Sequence, residues 1–240
     1  MSTTSPGAFA AALQEKRARE RRRQVRRWAV VTAVVLVVGF LGWLLLLSPL
    51  FRVHDVAVAG QETLSTETIL DAAQVPQNSP MLLLDTRAIT ERIRQLPAVR
   101  DIEVGRDLPD TVTIDVTERA MVFQRVEGAE YQWVDKDGVV FVTSQSPTDG
   151  AVQAVTDGTE TRLLRDVATV VSHLPEPLRP RVQRVQAKAV DRITLELEGG
   201  DLVVWGSAED SSLKADVLMA LLEVDASLYD VSAPSYPTTK

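Results

Sequence analysis

The stretch from residue 99 to residue 119, VRDIEVGRDLPDTVTIDVTER, contains two β-strand patterns separated by a turn. In its second half, Val112, Ile114 and Val116 alternate with polar residues, which places the three apolar side chains on one face of a strand. The intervening LPDT has Pro and Asp in positions that favour turns. The stretch therefore predicts two consecutive strands, the second with one buried face.

The residues before this stretch predict one more strand and two helices. Residues 53–60 alternate as a strand, but the apolar parity shifts within it, which predicts a bulge near His54. Helices are expected at 64–75, with Ser65 as N-cap, and at 86–97. The predicted order is β-α-α-β-β. The residues expected to form one sheet face and the helical side that covers it are Val56, Val58, Val112, Ile114 and Val116, with Ile69, Ile89 and Ile93.

A run of twenty uncharged residues, WAVVTAVVLVVGFLGWLLLL, occupies positions 28–47, and Pro49 follows it. At about 1.5 Å of rise per residue, a helix of this length matches a hydrocarbon core of roughly 30 Å. The run is longer than the apolar region of a cleaved signal peptide, and no small-x-small cleavage site follows it. It predicts a single transmembrane helix at residues 28–48.

The charges on the two sides of this run predict its orientation. Residues 1–27 contain eight Lys or Arg and two Glu, a net charge of +6, so the total of −7 leaves −13 for residues 28–240. Because dense arginine stays on the cytoplasmic side, we expect a single-pass type II protein of the bacterial inner membrane, with its C-terminal portion extracytoplasmic. The basic tail at 1–27 is interpreted as a topology signal and lipid anchor rather than a nucleic-acid site.

Residues 120–234 predict a second mixed domain with mainly antiparallel strands and two helices, so the fold class is α+β. A hairpin is expected to turn at 135–138 and another turn at Gly199 and Gly200, and residues 235–240 are expected to form a flexible tail. Strands are expected at 120–126, 131–142, 181–190, 192–200, 201–206 and 227–234, and helices at 161–174 and 207–225.

Residues that carry chemistry are few. The chain has no cysteine, and its two histidines, His54 and His173, are far apart in sequence, whereas a metal site needs clustered ligands. DKDG at 135–138 resembles the start of a calcium loop, but Ser146 stands where the loop needs glutamate. No P-loop or Gly-x-Ser-x-Gly motif occurs. We therefore expect no enzymatic activity, no cofactor and no small-molecule substrate.

Several motifs of this chain are similar to those of the bacterial FtsQ/DivIB cell-division family, and the resemblance covers residues 28–234. FRVHDVAVAG resembles the first strand of the family's POTRA domain, and the segment at 96–119 resembles a long family motif that ends in Glu-Arg. Further resemblances lie in WVDKDGVVF, in the WGSAED segment with the Lys that follows it, and in YDVSAP.

This resemblance implies a POTRA domain at 51–119 and an FtsQ-type β domain at 120–234. It also implies a non-enzymatic divisome scaffold at the division septum that recruits and regulates septal cell-wall synthesis. Its partners would be FtsB- and FtsL-like bitopic proteins and, through them, FtsW and its penicillin-binding partner.

The last predicted strand, 227–234, is expected to lie at a sheet edge, because no later strand pattern follows it. A partner strand can add to such an edge through main-chain hydrogen bonds. In the family this strand and the helix before it receive FtsB, and Tyr229 is the expected aromatic anchor. The resemblance carries the site to Tyr229, Asp230, Val231, Ser232 and Ala233, with Trp205 and Lys214 as neighbours.

Two other functions are alternatives: a single-pass membrane sensor or regulator, and an assembly factor with an extracytoplasmic POTRA-like binding domain. The 27 residues before the span contain no pattern of a folded output domain, which disfavours a sensor. POTRA domains of assembly factors are typically attached to a β-barrel, and here the region is attached to a helix.

Overall fold

The computed structural model describes the backbone of residues 6–240 and the side chains of residues 22–44 and 48–240. The first five residues of the predicted basic tail lie outside this described part. The first helix, α1 (Pro6–Leu47), continues without a break from the basic segment into the apolar run. Within it, Arg22–Leu44 is long and apolar enough to cross a membrane, and none of that stretch is buried; no other described helix meets this test.

The described chain divides into two compact units. One unit comprises residues 6–57, 74–89 and 104–114, and the other comprises residues 58–73, 90–103 and 115–240. Strands of the first half of the chain contribute to both units.

The first half of the chain has the predicted order β-α-α-β-β, with its three strands in one sheet in the order β1-β3-β2. Of the predicted inward residues, those on β3 and on the helices are buried, whereas Val56 and Val58 are only half-buried. The elements are β1 (Asp55–Ala59), α2 (Thr66–Ala73), α3 (Thr86–Ile93), β2 (Val99–Asp107) and β3 (Thr111–Glu118).

Two local predictions are confirmed in this half. The backbone N–H groups of His54 and Asp55 both donate to the carbonyl of Asp110, at 3.0 and 3.3 Å, which is the pattern of a β-bulge. Ser65 caps α2, since its hydroxyl accepts the N–H of Thr68 at 3.1 Å.

The second half builds a nine-stranded sheet in the order β12-β11-β10-β9-β8-β7-β4-β5-β6. Five of its eight strand pairings are antiparallel, so the predicted mainly antiparallel character is confirmed. Its elements are β4 (Phe123–Glu127), β5 (Glu130–Val134), β6 (Val140–Ser144), β7 (Gln153–Thr156), α4 (Thr161–His173), β8 (Val182–Ala189), β9 (Arg192–Leu197), β10 (Leu202–Gly206), α5 (Ser211–Leu221), β11 (Leu228–Asp230) and β12 (Thr238–Thr239).

The core of this half lies between the sheet and the two helices. The inward stripe of α4 includes Leu163, Val167 and Val170, and α5 contributes Ala215 and Leu218. Burial of these apolar side chains is the main source of stability in a chain without disulfides.

Two features of the second half differ from the sequence-based expectation. The short β7 was not predicted. Of its four residues, only Ala154 is a buried apolar one, and Val152 just before the strand is also buried, which is too few for an alternating pattern. The predicted flexible tail at 235–240 contains β12, which pairs antiparallel with β11. A two-residue strand leaves no periodicity in a sequence, because its pairing comes from the partner strand rather than from its own side chains.

Candidate partner-binding site

The residues predicted to bind a partner lie on β10, α5, β11 and the segment just after β11. Strand β10, helix α5 and strand β11 form a crossover unit, because β11 returns parallel to β10 with Val203 opposite Tyr229 and Val204 opposite Asp230. This unit brings all seven predicted residues into one region of the second compact unit.

Four of the seven side chains predicted to bind a partner are buried. Tyr229 and Val231 belong to the hydrophobic core, as does Trp205, and Lys214 is 2% exposed. The Tyr229 hydroxyl donates to the carbonyl of Val224 at 2.9 Å and accepts the N–H of Ala226 at 3.3 Å. Tyr229 therefore fixes the loop after α5.

Trp205 and Lys214 instead fix the start of α5. The Trp205 indole N–H donates to the hydroxyl of Ser211 at 3.2 Å, and the Lys214 ammonium donates to the carbonyl of Ser207 at 2.8 Å. Burial lowers the pKa of Lys214, and the carboxylates of Asp210 and Glu209 oppose this shift. Both side chains satisfy buried polar groups, which is a positioning role for α5.

The other three predicted residues are accessible. Asp230 is half-buried, and its carboxylate accepts the backbone N–H of Ser232 at 2.9 Å and the Ser232 hydroxyl at 2.6 Å. This turn ends β11, and Ser232 and Ala233 are exposed after it. Gly206 has a φ of +77°, and a Cβ there would meet the Cβ of Ser232 at 2.9 Å, so the close approach requires glycine.

Strand β11 is not the edge of the sheet, because β12 lies outside it. This corrects the expectation that no later strand pairs with the strand at 227–234. The Leu228 N–H donates to the carbonyl of Lys240, and the Lys240 N–H donates to the carbonyl of Leu228, both at 3.0 Å. Thr238 pairs with Asp230 in the same register. On the other side, the Val231 N–H donates to the carbonyl of Val204 at 3.0 Å, so a proline at position 231 would disrupt the sheet itself.

The outer face of α5 is an accessible surface that the sequence-based assignment did not include. Leu213, Val217, Ala220 and Val224 recur at helical spacing along α5 and the residues after it; Leu213 is 49% exposed, Val224 is 52% exposed, Ala220 is exposed and Val217 is half-buried. We call these four residues the outer stripe. The sequence indicates this surface because α5 has apolar residues on both faces. A helix that buries only one face normally has polar residues on the opposite face.

Acidic side chains border the outer stripe. Asp216, Glu223 and Asp225 are exposed beside it, and the α5 lysine, Lys214, points into the protein. An apolar stripe with acidic borders fits an amphipathic segment that carries basic residues.

Neither histidine belongs to a ligand cluster. The Nδ1 atoms of His54 and His173 lie 2.9 and 2.8 Å from the carbonyl oxygens of Arg52 and Thr169, within their own segments. Within the described residues, no group of three or more His, Asp or Glu side chains is placed to hold a metal ion.

Comparison with known proteins finds two families along the chain. The family described as POTRA domain, FtsQ-type matches residues 51–119, and the family described as cell division protein FtsQ/DivIB, C-terminal matches residues 123–233.

Full-length relatives show the same similarity. The cell division protein FtsQ of Streptomyces bingchenggensis is 35% identical over 236 residues, covering 92% of this chain and 89% of its own. That of Mycolicibacterium smegmatis is 34% identical over 218 residues, covering 90% and 65% respectively. Among solved structures, the match to the major extracytoplasmic domain of DivIB from Geobacillus stearothermophilus covers 42% of this chain and 85% of that chain at 12% identity, with a TM-score of 0.34.

Proposed function

Because this chain belongs to the FtsQ/DivIB family of bacterial cell-division proteins, we propose that it is a non-enzymatic scaffold of the divisome. In this proposal it is anchored in the inner membrane by α1, with its N-terminus cytoplasmic and the remainder extracytoplasmic, and it acts at the division septum. It recruits and regulates septal cell-wall synthesis through FtsB- and FtsL-like bitopic proteins, which connect it to FtsW and its penicillin-binding partner.

The observation that carries this proposal is the surface formed by the outer stripe of α5 and the neighbouring edge at β11. The stripe offers exposed apolar area with acidic borders, and β11 offers a strand edge once the short β12 is displaced. A helix that continues into a strand, with basic residues on its helical part, would use both features. A partner confined to the same membrane has a high effective concentration, so a modest interface is sufficient.

A binding experiment tests the surface. The full-length chain, purified in detergent, is presented to the FtsB-like protein of the same bacterium, and the recovered complex is quantified. Leu213→Lys places a positive charge among the acidic borders, where it repels the basic segment proposed for the partner, and it also removes exposed apolar contact. We therefore expect recovery to fall at least fivefold, which is about 1 kcal/mol. Exposed surface changes leave stability within about 0.5 kcal/mol.

The matched control is Leu83→Lys, the same change at a leucine that is 69% exposed in the other compact unit. It should leave recovery unchanged. If Leu213→Lys and Leu83→Lys recover equal amounts of complex, the partner binds elsewhere on the protein.

The location of the protein in growing cells tests the proposed role separately. A fluorescent fusion of the full-length chain should form mid-cell bands that coincide with septa. Uniform membrane fluorescence in dividing cells would contradict the divisome role, even if the isolated protein bound the partner.

A further inference from the structure

We propose that residues 236–240 are a built-in competitor for the partner: β12 occupies the edge of β11 that a partner strand would use and must leave before that strand can add. This inference rests on the proposed function, since it assumes that the partner adds a strand to β11. The competing segment is part of the same chain, so it regulates the site without a second regulator.

The direction of the backbone N–H and C=O groups on β11 shows which side of the strand a partner strand could use. The Ser227 carbonyl accepts the Leu202 N–H at 3.0 Å, and the Val231 N–H donates to the Val204 carbonyl at 3.0 Å, so these residues face β10. Because the backbone alternates along a strand, Leu228 and Asp230 face the opposite way. A partner strand beside β11 would have to bond these two residues.

Both residues are already bonded to the competing segment. The N–H and the carbonyl of Leu228 are paired with Lys240, and Asp230 is paired with Thr238. The next outward N–H, that of Ser232, is bonded to the Asp230 carboxylate. Strand β11 therefore offers no unpaired main-chain group to a partner while β12 is in place.

A partner strand cannot simply add to the outer side of β12 instead. Since the reciprocal bonds of Lys240 face β11, alternation leaves Thr239 as the residue of β12 that faces outward. Pro237, two residues earlier on the same side, has no N–H to donate. The outer side of β12 thus presents one donor where strand addition needs several.

The competing segment can leave without uncovering the core. Tyr236 is 83% exposed, Pro237, Thr238 and Lys240 are exposed, and Thr239 is half-buried. None of them belongs to the hydrophobic cluster under the sheet, so the segment is held by main-chain bonds and one Ser227 hydroxyl contact. Segments held in this way open more readily than core strands.

Such a competitor weakens the observed affinity by the fraction of molecules in which it has left the edge. Deletion of residues 236–240 should therefore lower the dissociation constant for the partner by about tenfold. A covalent lock between β11 and β12 should have the opposite effect.

The experiment uses the full-length chain in detergent and the FtsB-like protein of the same bacterium, with dissociation constants measured by titration. Because the chain has no cysteine, Asp230→Cys with Thr238→Cys introduces one disulfide at a registered pair. The oxidised form should bind at least tenfold more weakly than its own reduced form. Thr239→Pro, which removes an outward N–H and no bond to β11, is the matched control and should bind as the unmodified chain does.

The outcomes separate this inference from the proposed function. If the unmodified chain binds and both the deletion and the disulfide leave its affinity unchanged, the inference is overturned and the binding site stands. Tighter binding after deletion together with unimpaired binding by the locked form also overturns it, because the segment would then act by something other than strand pairing. If no form binds, the inference and the proposed partner fall together.

Discussion

The end of β3 and the edge at β11 are held in different ways. At the end of β3, the Glu118 carboxylate accepts three consecutive backbone N–H groups, those of Glu62 at 3.0 Å, Thr63 at 2.8 Å and Leu64 at 2.9 Å. The next residue, Arg119, donates to the carbonyl of Pro97 at 3.1 Å. Its guanidinium also pairs with the carboxylate of Asp135, which is 2% exposed.

At the edge of β11, by contrast, the two-residue strand β12 is held by main-chain hydrogen bonds, and the side chains of residues 235–240 are exposed or half-buried. Charge-assisted hydrogen bonds to buried or half-buried groups are roughly twice as strong as neutral ones. Strand β3 therefore ends in a fixed structural joint, whereas β12 is a replaceable cover.

The largest effect is expected at the fixed joint. Asp135→Ala leaves the Arg119 guanidinium without its carboxylate and the N–H groups of Asp137 and Val139 without their acceptor. Removal of one partner of a buried ion pair costs about 3–5 kcal/mol. Thermal unfolding of the full-length chain in detergent, followed by circular dichroism, measures the loss.

Asp135→Asn separates the two losses, because its amide oxygen can still accept from Asp137 and Val139 while the ion pair with Arg119 is lost. It should lose clearly less stability than Asp135→Ala. If the free energy of unfolding of Asp135→Ala lies within about 0.5 kcal/mol of that of the unmodified chain, as for typical surface changes, the joint is not fixed by this pair.

A smaller effect is expected at Glu118. Burial alone would raise the pKa of this carboxyl, but the backbone N–H groups of Leu64, Thr63 and Glu62 hold the pKa below its ordinary value. Glu118→Gln should cost about 1.5–3 kcal/mol at pH 7, the range for hydrogen bonds to a charged group. Because the folded pKa is depressed, this stability is present above the ordinary carboxyl pKa and is lost as the pH falls through the folded pKa.

Melts of Glu118→Gln and the unmodified chain at pH 7 and at pH 3 check this sign. The difference in stability should be smaller at pH 3 than at pH 7. Glu103→Gln, the same change at an exposed carboxylate on β2, should show no such difference. A Glu118→Gln difference that is equal at both pH values would mean that the charge is not what holds the loop.

The strands that lead into the fixed joint could be predicted from sequence, whereas the contacts of the joint and the replaceable cover could not, for a physical reason. In residues 99–119 the strands alternate Val and Ile with polar residues over eight positions, so their own side chains specify the buried face. The hairpin at 135–138 was predictable from its turn residues, Asp and Gly. In the structure Gly138 has a φ of +76°, and the Asp135 carboxylate accepts the N–H of Asp137. The role of Glu118 and Arg119 needed the structure, because their partners are distant in sequence.

The sequence placed the candidate residues on strands and a helix where the structure has them, but it did not show which of their side chains are buried. A strand motif says which residues form β11, but it does not say which of its faces is covered, because α5 and β12 decide that. Tyr229 and Val231 therefore turned out to be buried, and the exposed Leu213 and Val224 went unrecognised. The backbone groups of Leu228 and Asp230 face β12 because the alternate residues of β11 pair with β10. That pairing leaves no pattern in the sequence around these residues.

The smallest effect on stability is expected where the cover is removed. Deletion of residues 236–240 takes away the bonds from Lys240 and Thr238, each worth about 0.5–1.5 kcal/mol net. It also releases the cost of ordering the segment, about 1–2 kcal/mol per residue for the backbone. These terms nearly cancel, and no core side chain is lost, so the free energy of unfolding should change by less than about 1 kcal/mol.

Amide exchange gives the sharper measurement of this deletion. The Leu228 N–H should lose protection after residues 236–240 are deleted, whereas the Val231 N–H, bonded to Val204, should keep it. A loss of protection at both positions would show that β12 supports the sheet itself, and the contrast between a fixed joint and a replaceable cover would no longer hold.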